Sequence, residues 1–117
     1  MNYKTLKTKN NYAIGVDVTN VKKFENKSEA FIKRFLTKNE YQKYLETKKE
    51  LKPKFLAAHW VLKEATYKAV SKFHNIFFTN IEFIKFDNKY KCTTFDEAEV
   101  SVSYNQDLVY AIALFVK

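Results

Sequence analysis

The sequence predicts an α+β domain in which a mostly antiparallel sheet packs on one long helix. Three observations carry this reading. A segment with strand alternation opens the ordered part of the chain, a long segment with helical spacing occupies its middle, and four strand-like runs separated by turn residues close it. A strand, then helices, then a run of strands is the element order of an α+β fold. The 117 residues suit a single domain. We divide them into a loose N-terminal arm at 1–11 and one domain at 12–117.

Each element has its own local signal. In residues 12–19, Ile14, Val16 and Val18 share one face, while Ala13, Gly15, Asp17 and Thr19 share the other. That alternation is a strand with one apolar face. Residues 21–44 carry apolar side chains at helical intervals and read as two helices broken near Leu36 and Thr37. Thr37 followed by Glu40 is a capping box that opens the second of them. Pro53 suits the first turn of a long helix over 53–73, because its missing N–H is not needed there. Phe55, Ala58, Leu62, Ala65, Ala69 and Phe73 form a single stripe along that helix. The runs 80–86, 89–95, 99–104 and 108–116 read as strands, with turns at Asp87-Asn88 and at Asn105-Gln106-Asp107.

Composition narrows the function. The net charge is +8, and Arg34 is the only arginine beside twenty lysines. Lysines are point charges rather than bidentate forks, so they create a diffuse field that favours an acidic partner. The apolar runs fall far short of the ~20 residues a membrane span needs. The opening residues are polar, with no apolar stretch of signal-peptide length. The expected compartment is therefore the cytoplasm, without membrane association. Cys92 stands alone, which excludes an internal disulfide framework and a cysteine-based zinc site. The single glycine excludes the Gly-rich phosphate loops.

Two carboxylates are the candidates for chemistry. Asp17 lies two residues after the lone glycine on one strand face, where an absent side chain leaves room for backbone or ligand. Two readings stay open: a solvated carboxylate at a strand end, with Gly15 serving helix packing, or a ligand. Glu64 lies opposite the main stripe of the long helix, on the side of Ala57, Trp60 and Val61. A carboxylate on a semi-buried face is costly unless paired, hydrogen-bonded or metal-bound. Pairing with Lys68 one turn on is the plainer alternative. Taken together, a strand Asp and a helix Glu suit Mg²⁺, which takes one or two carboxylates and completes its shell with substrate phosphates. Lys63, Lys68 and Lys72 are then candidate phosphate contacts. His59 and His74 lack ligand spacing and read as surface or packing residues. Cys92 reads as a small buried hydrophobe. Ser101 and Ser103 have no His–Asp partners for a hydrolase triad.

These residues match a family. Ile14-Gly-Val-Asp-Val18 resembles the opening strand of holo-acyl-carrier-protein synthases, the short 4'-phosphopantetheinyl transferases. Lys33-Arg-Phe-Leu-Thr37 with Glu40 resembles their R-x-L-T-x-x-E segment, and residues 55–69 resemble their F-L-A-x-x-[FW]-x-x-K-E-A-x-x-K-A helix. Val100-Ser-Val-Ser103 and Tyr110-Ala-Ile-Ala113 are similar to the closing strands. The resemblance implies a 4'-phosphopantetheinyl transferase-like fold. It implies a Mg²⁺-dependent enzyme that moves the phosphopantetheine arm of coenzyme A to a serine of acyl carrier protein, in lipid synthesis. It places Asp17 and Glu64 at the metal, Lys68 at the transferring phosphate, and coenzyme A beside Lys63, Lys68, Lys72 and Ser103. It also implies a homotrimer with the coenzyme A cleft between subunits. The chain departs from the family at His59, where Arg is usual, at Tyr104, where His is usual, and at 71–75, which lacks the usual glycines. Lys22, Lys23, Lys27, Lys33 and Arg34 form the expected docking surface for the acidic carrier protein. A small basic nucleic-acid-binding module and a lapsed family member acting as an interaction protein are the competing readings.

Overall fold

The computed structural model describes residues 11–117. The expected arm therefore lies outside the described residues except for Asn11, whose carbonyl accepts from the Lys117 amide at 2.9 Å. Among the described residues the order is β1 (Tyr12–Asn20), α1 (Glu29–Phe35), α2 (Lys38–Glu46), α3 (Lys52–Val70), β2 (Phe83–Phe86), β3 (Lys89–Cys92), β4 (Ala98–Asn105) and β5 (Leu108–Val116). Short 3-10 turns lie at Val21–Phe24, Lys49–Leu51 and Phe78–Asn80. No helix among these residues is long and apolar enough to cross a membrane.

Local chemistry sets the boundaries. The Thr37 capping box is formed: the Thr37 amide donates to Glu40 Oε1 at 2.9 Å and the Glu40 amide to Thr37 Oγ1 at 3.3 Å. Ser28 Oγ caps α1 by accepting from the Phe31 amide. Pro53 sits in the first turn of α3. That helix stops at Val70, short of Phe73, and its end is wrapped by the Phe73 and His74 amides donating to the Val70 carbonyl. The four closing strands are present but divide. β4 and β5 join β1 in an antiparallel sheet of order β1-β5-β4, whereas β2 and β3 form a hairpin of their own. Asp87 and Asn88 take φ of 50° and 62°, which a two-residue hairpin turn requires.

The core lies between the sheet and α3. Ala58, Leu62, Ala65 and Ala69 are buried against a sheet face that presents Val109, Ala111, Ala113 and Phe115. On the other flank, Phe24, Phe31 and Phe35 surround Trp60, with ring centroids 5.4–6.0 Å away. Edge and offset aromatic pairs of this kind add to simple burial.

β1 shows a reversal. Its apolar side chains face outward: Ile14, Val16 and Val18 are 57%, 54% and 50% exposed. Ala13, Gly15, Asp17 and Thr19 face α3 instead. The helix backbone comes so close that a Cβ at Gly15 would stand 1.8 Å from the Ala65 carbonyl oxygen and 3.0 Å from the Ala69 nitrogen. Only small residues fit along that contact, so the bulky ones take the other face. The register pairs Ile14 with Leu114, Val16 with Ile112 and Val18 with Tyr110. These residues make one continuous apolar outer face.

This contact predicts that Gly15→Ala destabilises the protein by about 3 kcal/mol or more, the upper range for overpacking, because rigid backbone rather than a mobile side chain blocks the methyl group. The urea unfolding midpoint checks it. A midpoint near that of the unsubstituted protein would mean that β1 and α3 separate easily.

Candidate active site

The close contact of β1 with α3 delivers three charged groups to one place. Asp17 is on the helix-facing side of β1, two residues beyond Gly15, and its side chain keeps one fifth of its exposure. Glu64 and Lys68 lie one turn apart on α3. Lys68 does not turn back to Glu64. Its ammonium donates to the Val16 carbonyl at 2.9 Å and contacts Asp17 Oδ1 at 3.4 Å, so it bridges helix to strand.

Burial raises the Glu64 carboxyl pKa above the usual range; the Asp17 charge adds to the rise and Lys68 opposes it. The two carboxylates are therefore close enough to repel. Repulsion between partly exposed carboxylates is what a divalent cation relieves. Among the described residues no group of three or more His, Cys, Asp or Glu side chains could hold a metal. A two-carboxylate site is what this region offers, and it fits a hard oxygen-seeking cation that fills its remaining positions with water and phosphate oxygens.

The proposed phosphate contacts separate. Lys72 lies along the outer edge of β1 with Lys68 and donates to the Tyr12 carbonyl at 3.2 Å. Lys63 is unavailable to a phosphate, contrary to expectation. It is fully buried and paired with Glu40 at 2.7 Å, and it also donates to the Ile81 and Thr79 carbonyls. All three of its donors are used. Burial lowers its pKa, and the Glu40 charge opposes that shift. The physical reason lies in helical spacing: neighbours on a helix point about 100° apart, so Lys63 turns inward where Glu64 turns toward β1. Ser103 is exposed on β4 opposite Tyr110. It belongs to the outer sheet face, whereas Asp17 belongs to the inner one, so one chain does not bring the two together.

His59 and Tyr104, two of the three departures, line a single cavity of about 540 Å³ together with Lys43, Lys54, Phe55 and Tyr90. His59 is buried, stacks on Phe55 with centroids 4.1 Å apart, and its Nδ1 lies 3.0 Å from the Phe55 carbonyl. It is a packing residue, as is Cys92, which is buried. The Lys54 ammonium stands 4.2 Å from the Tyr104 ring centroid. Sequence reasoning missed this cavity and the second use of Glu40, since a capping residue gives no sign of a partner far along the chain. Within the basic segment, Lys22 pairs with Asp107 and Lys33 with Glu29, while Lys27 covers the Phe31 ring at 4.8 Å.

Known proteins resemble this chain in sequence and in fold. Residues 13–113 match the family model of the 4'-phosphopantetheinyl transferase superfamily. A holo-[acyl-carrier-protein] synthase of Mycoplasma genitalium is 41% identical over 106 residues, covering 86% of this chain and 92% of that protein. The Bacillus subtilis enzyme of the same name is 33% identical over 113 residues, covering 90% and 93%. A crystal structure of a holo-(acyl-carrier-protein) synthase from Bacillus anthracis in complex with CoA (3',5'-ADP) superposes with a TM-score of 0.77 at 26% identity, covering 90% of this chain and 96% of that one. The chain belongs to the holo-[acyl-carrier-protein] synthase family of the 4'-phosphopantetheinyl transferase superfamily.

Proposed function

We propose that this protein transfers the 4'-phosphopantetheine arm of coenzyme A to a serine of apo-acyl carrier protein and releases adenosine 3',5'-bisphosphate, in the cytoplasm and in the service of lipid synthesis. The observation that carries the reading is the convergence of Asp17, Glu64 and Lys68 across β1 and α3 in a chain whose relatives bear that name. The serine oxygen attacks the phosphorus that carries pantetheine, and the bond to the adenosine-side phosphate breaks. Asp17 and Glu64 would hold Mg²⁺, which when bound neutralises charge on the pyrophosphate. Lys68 is placed to exchange the Val16 carbonyl for a phosphate oxygen, and Lys72 extends the positive edge. A metal-ordered water or a nearby carboxylate would take the serine proton.

A homotrimer completes this reading. The apolar outer face of β1 and β5 is larger than scattered surface residues would make it, and a face of this kind marks an interface. Ser103 lies on that outer face. It can serve a coenzyme A site only when a neighbouring copy brings its own inner face near. The docking surface for the carrier protein would follow β1 directly in the chain, in the turn Val21–Phe24 and in α1.

Asp17→Ala and Glu64→Ala should each lower phosphopantetheine transfer at least a hundredfold with the circular dichroism spectrum unchanged; near-normal turnover in either refutes the assignment. Glu64→Gln supplies a sign check on the electrostatics. A carboxyl with a raised folded pKa costs nothing well below its unfolded pKa, at about pH 3, where it is neutral in both states, and costs most above its folded pKa. The melting temperature of Glu64→Gln should therefore exceed that of the parent at about pH 7 without metal and converge with it at about pH 3. Added Mg²⁺ should stabilise only the parent.

Reversing Lys23 and Lys27 to Glu should raise the Michaelis constant for carrier protein roughly tenfold at low salt and flatten its salt dependence, leaving the constant for coenzyme A nearly unchanged. Equal loss toward both substrates would remove these lysines from the docking surface. Val16→Asp with Ile112→Asp should yield monomers in sedimentation analysis and abolish transfer, and a substituted protein that stays trimeric would place the interface elsewhere.

A further inference from the structure

The buried pair of Lys63 and Glu40 has no part in the chemistry above, yet it is the most heavily bonded polar group among the described residues. Their side chains are 0% and 1% exposed, and the ammonium lies 2.7 Å from Glu40 Oε1. That oxygen also accepts from the Thr37 amide at 2.9 Å, and Oε2 accepts from the Phe83 amide at 2.8 Å. Lys63 donates further to the Ile81 carbonyl at 2.5 Å and the Thr79 carbonyl at 3.3 Å. Four segments meet there: the first turn of α2, the middle of α3, the approach to β2, and β2 itself.

Stability alone does not explain such a pair. The cost of desolvating two charges rivals their attraction, and apolar residues of similar volume often serve as well or better. Its bonds are directional, which apolar packing is not. On the opposite side of α3, Ala65 and Ala69 meet Gly15 through small surfaces that set the separation of helix and strand. The directional bonds there come from Lys68 and Lys72, which reach the Val16 and Tyr12 carbonyls at the end of long, exposed stems, and such stems follow a rotating helix more readily than a buried pair does.

We propose that the Glu40–Lys63 pair is a positioning device that fixes the rotation of α3 about its own axis, so that Glu64, the next residue, faces Asp17 at the separation a divalent cation needs. The inference rests on the assignment of Asp17 and Glu64 as metal-holding residues. Rotation of a helix by a few tens of degrees moves a carboxylate by more than a metal bond tolerates. The same pair ties β2 to α3. Neither Lys63 nor Glu40 touches substrate; they act through Glu64.

The test uses full-length Lys63→Met/Glu40→Gln, which removes both charges at similar volume, together with Glu40→Gln alone. Mn²⁺ replaces Mg²⁺ as a probe whose binding is read by electron paramagnetic resonance well below each melting temperature. Residues that orient the ligands of a metal site are worth about ten- to a hundredfold in affinity. The double variant should lose Mn²⁺ affinity by that factor and lose kcat in parallel, while the Michaelis constant for carrier protein stays near its original value. Glu40→Gln alone should fall between. A folded double variant that binds Mn²⁺ normally overturns the proposal, whatever its melting temperature. Failure of both variants to fold also overturns it, because the pair would then be a determinant of the fold. Asp17→Ala serves as the control: if it binds Mn²⁺ like the parent, the assignment of the metal-holding residues fails, and the pair is not at fault.

Discussion

The contact between a strand without a side chain and a helix of alanines is the constraint on which the rest of this protein depends. Gly15 lets β1 approach the α3 backbone until a methyl group would overlap the Ala65 carbonyl. At that separation Lys68 can reach a strand carbonyl and the Asp17 carboxylate at once, and Glu64 senses the Asp17 charge. A larger residue at 15 would push the strand outward and dissolve this cluster. The only glycine in the chain is therefore spent on distance, with no positive φ to accommodate.

The same contact turns the sheet inside out. Hydrophobic burial would ordinarily place Ile14, Val16 and Val18 against the helix. Small residues take that side because close approach demands it, and β5 follows with Ala111 and Ala113 inward and Ile112 and Leu114 outward. A site built on close backbone packing thus exports its large apolar side chains to the far face of the sheet. That face then needs a cover of its own. Close packing at the β1–α3 contact and the exposure of an apolar outer face are linked through this exchange.

What could be read from the sequence follows the range of the interactions. The capping box at Thr37, the first turn at Pro53 and the turn at Asp87-Asn88 depend on residues a few positions apart, and each was legible. The placement of Asp17 and Glu64 on partly buried faces was legible too, because strand alternation and helical spacing each put an isolated carboxylate on a costly face. The side of β1 that meets the helix was not legible, since alternation gives two faces without saying which is inward. Lys63 was misread for a similar reason. A lysine between apolar residues on a buried helix has two solutions, a snorkel to solvent or a buried partner, and the partner, Glu40, is far away in sequence and already employed as a cap. The division of the closing strands into a sheet and a separate hairpin is likewise a matter of tertiary pairing, invisible to local pattern.

Helical geometry explains how one short stretch of α3 performs several tasks. Lys63 and Glu64 are neighbours but point about 100° apart, one into a buried ion pair and the other toward β1. Lys68, one turn beyond Glu64, returns to the same side and supplies the charge that offsets two carboxylates. His59, one turn before Lys63, shares the inward side and stacks on Phe55. The departures from the family pattern at His59 and Tyr104 therefore fall together around one cavity, on a side of α3 that Glu64 and Lys68 do not use. Asp17, Glu64 and Lys68 are insulated from those changes by the width of the helix. A substitution at 59 or 104 alters the cavity wall and leaves the β1–α3 contact, and the charges it gathers, in place.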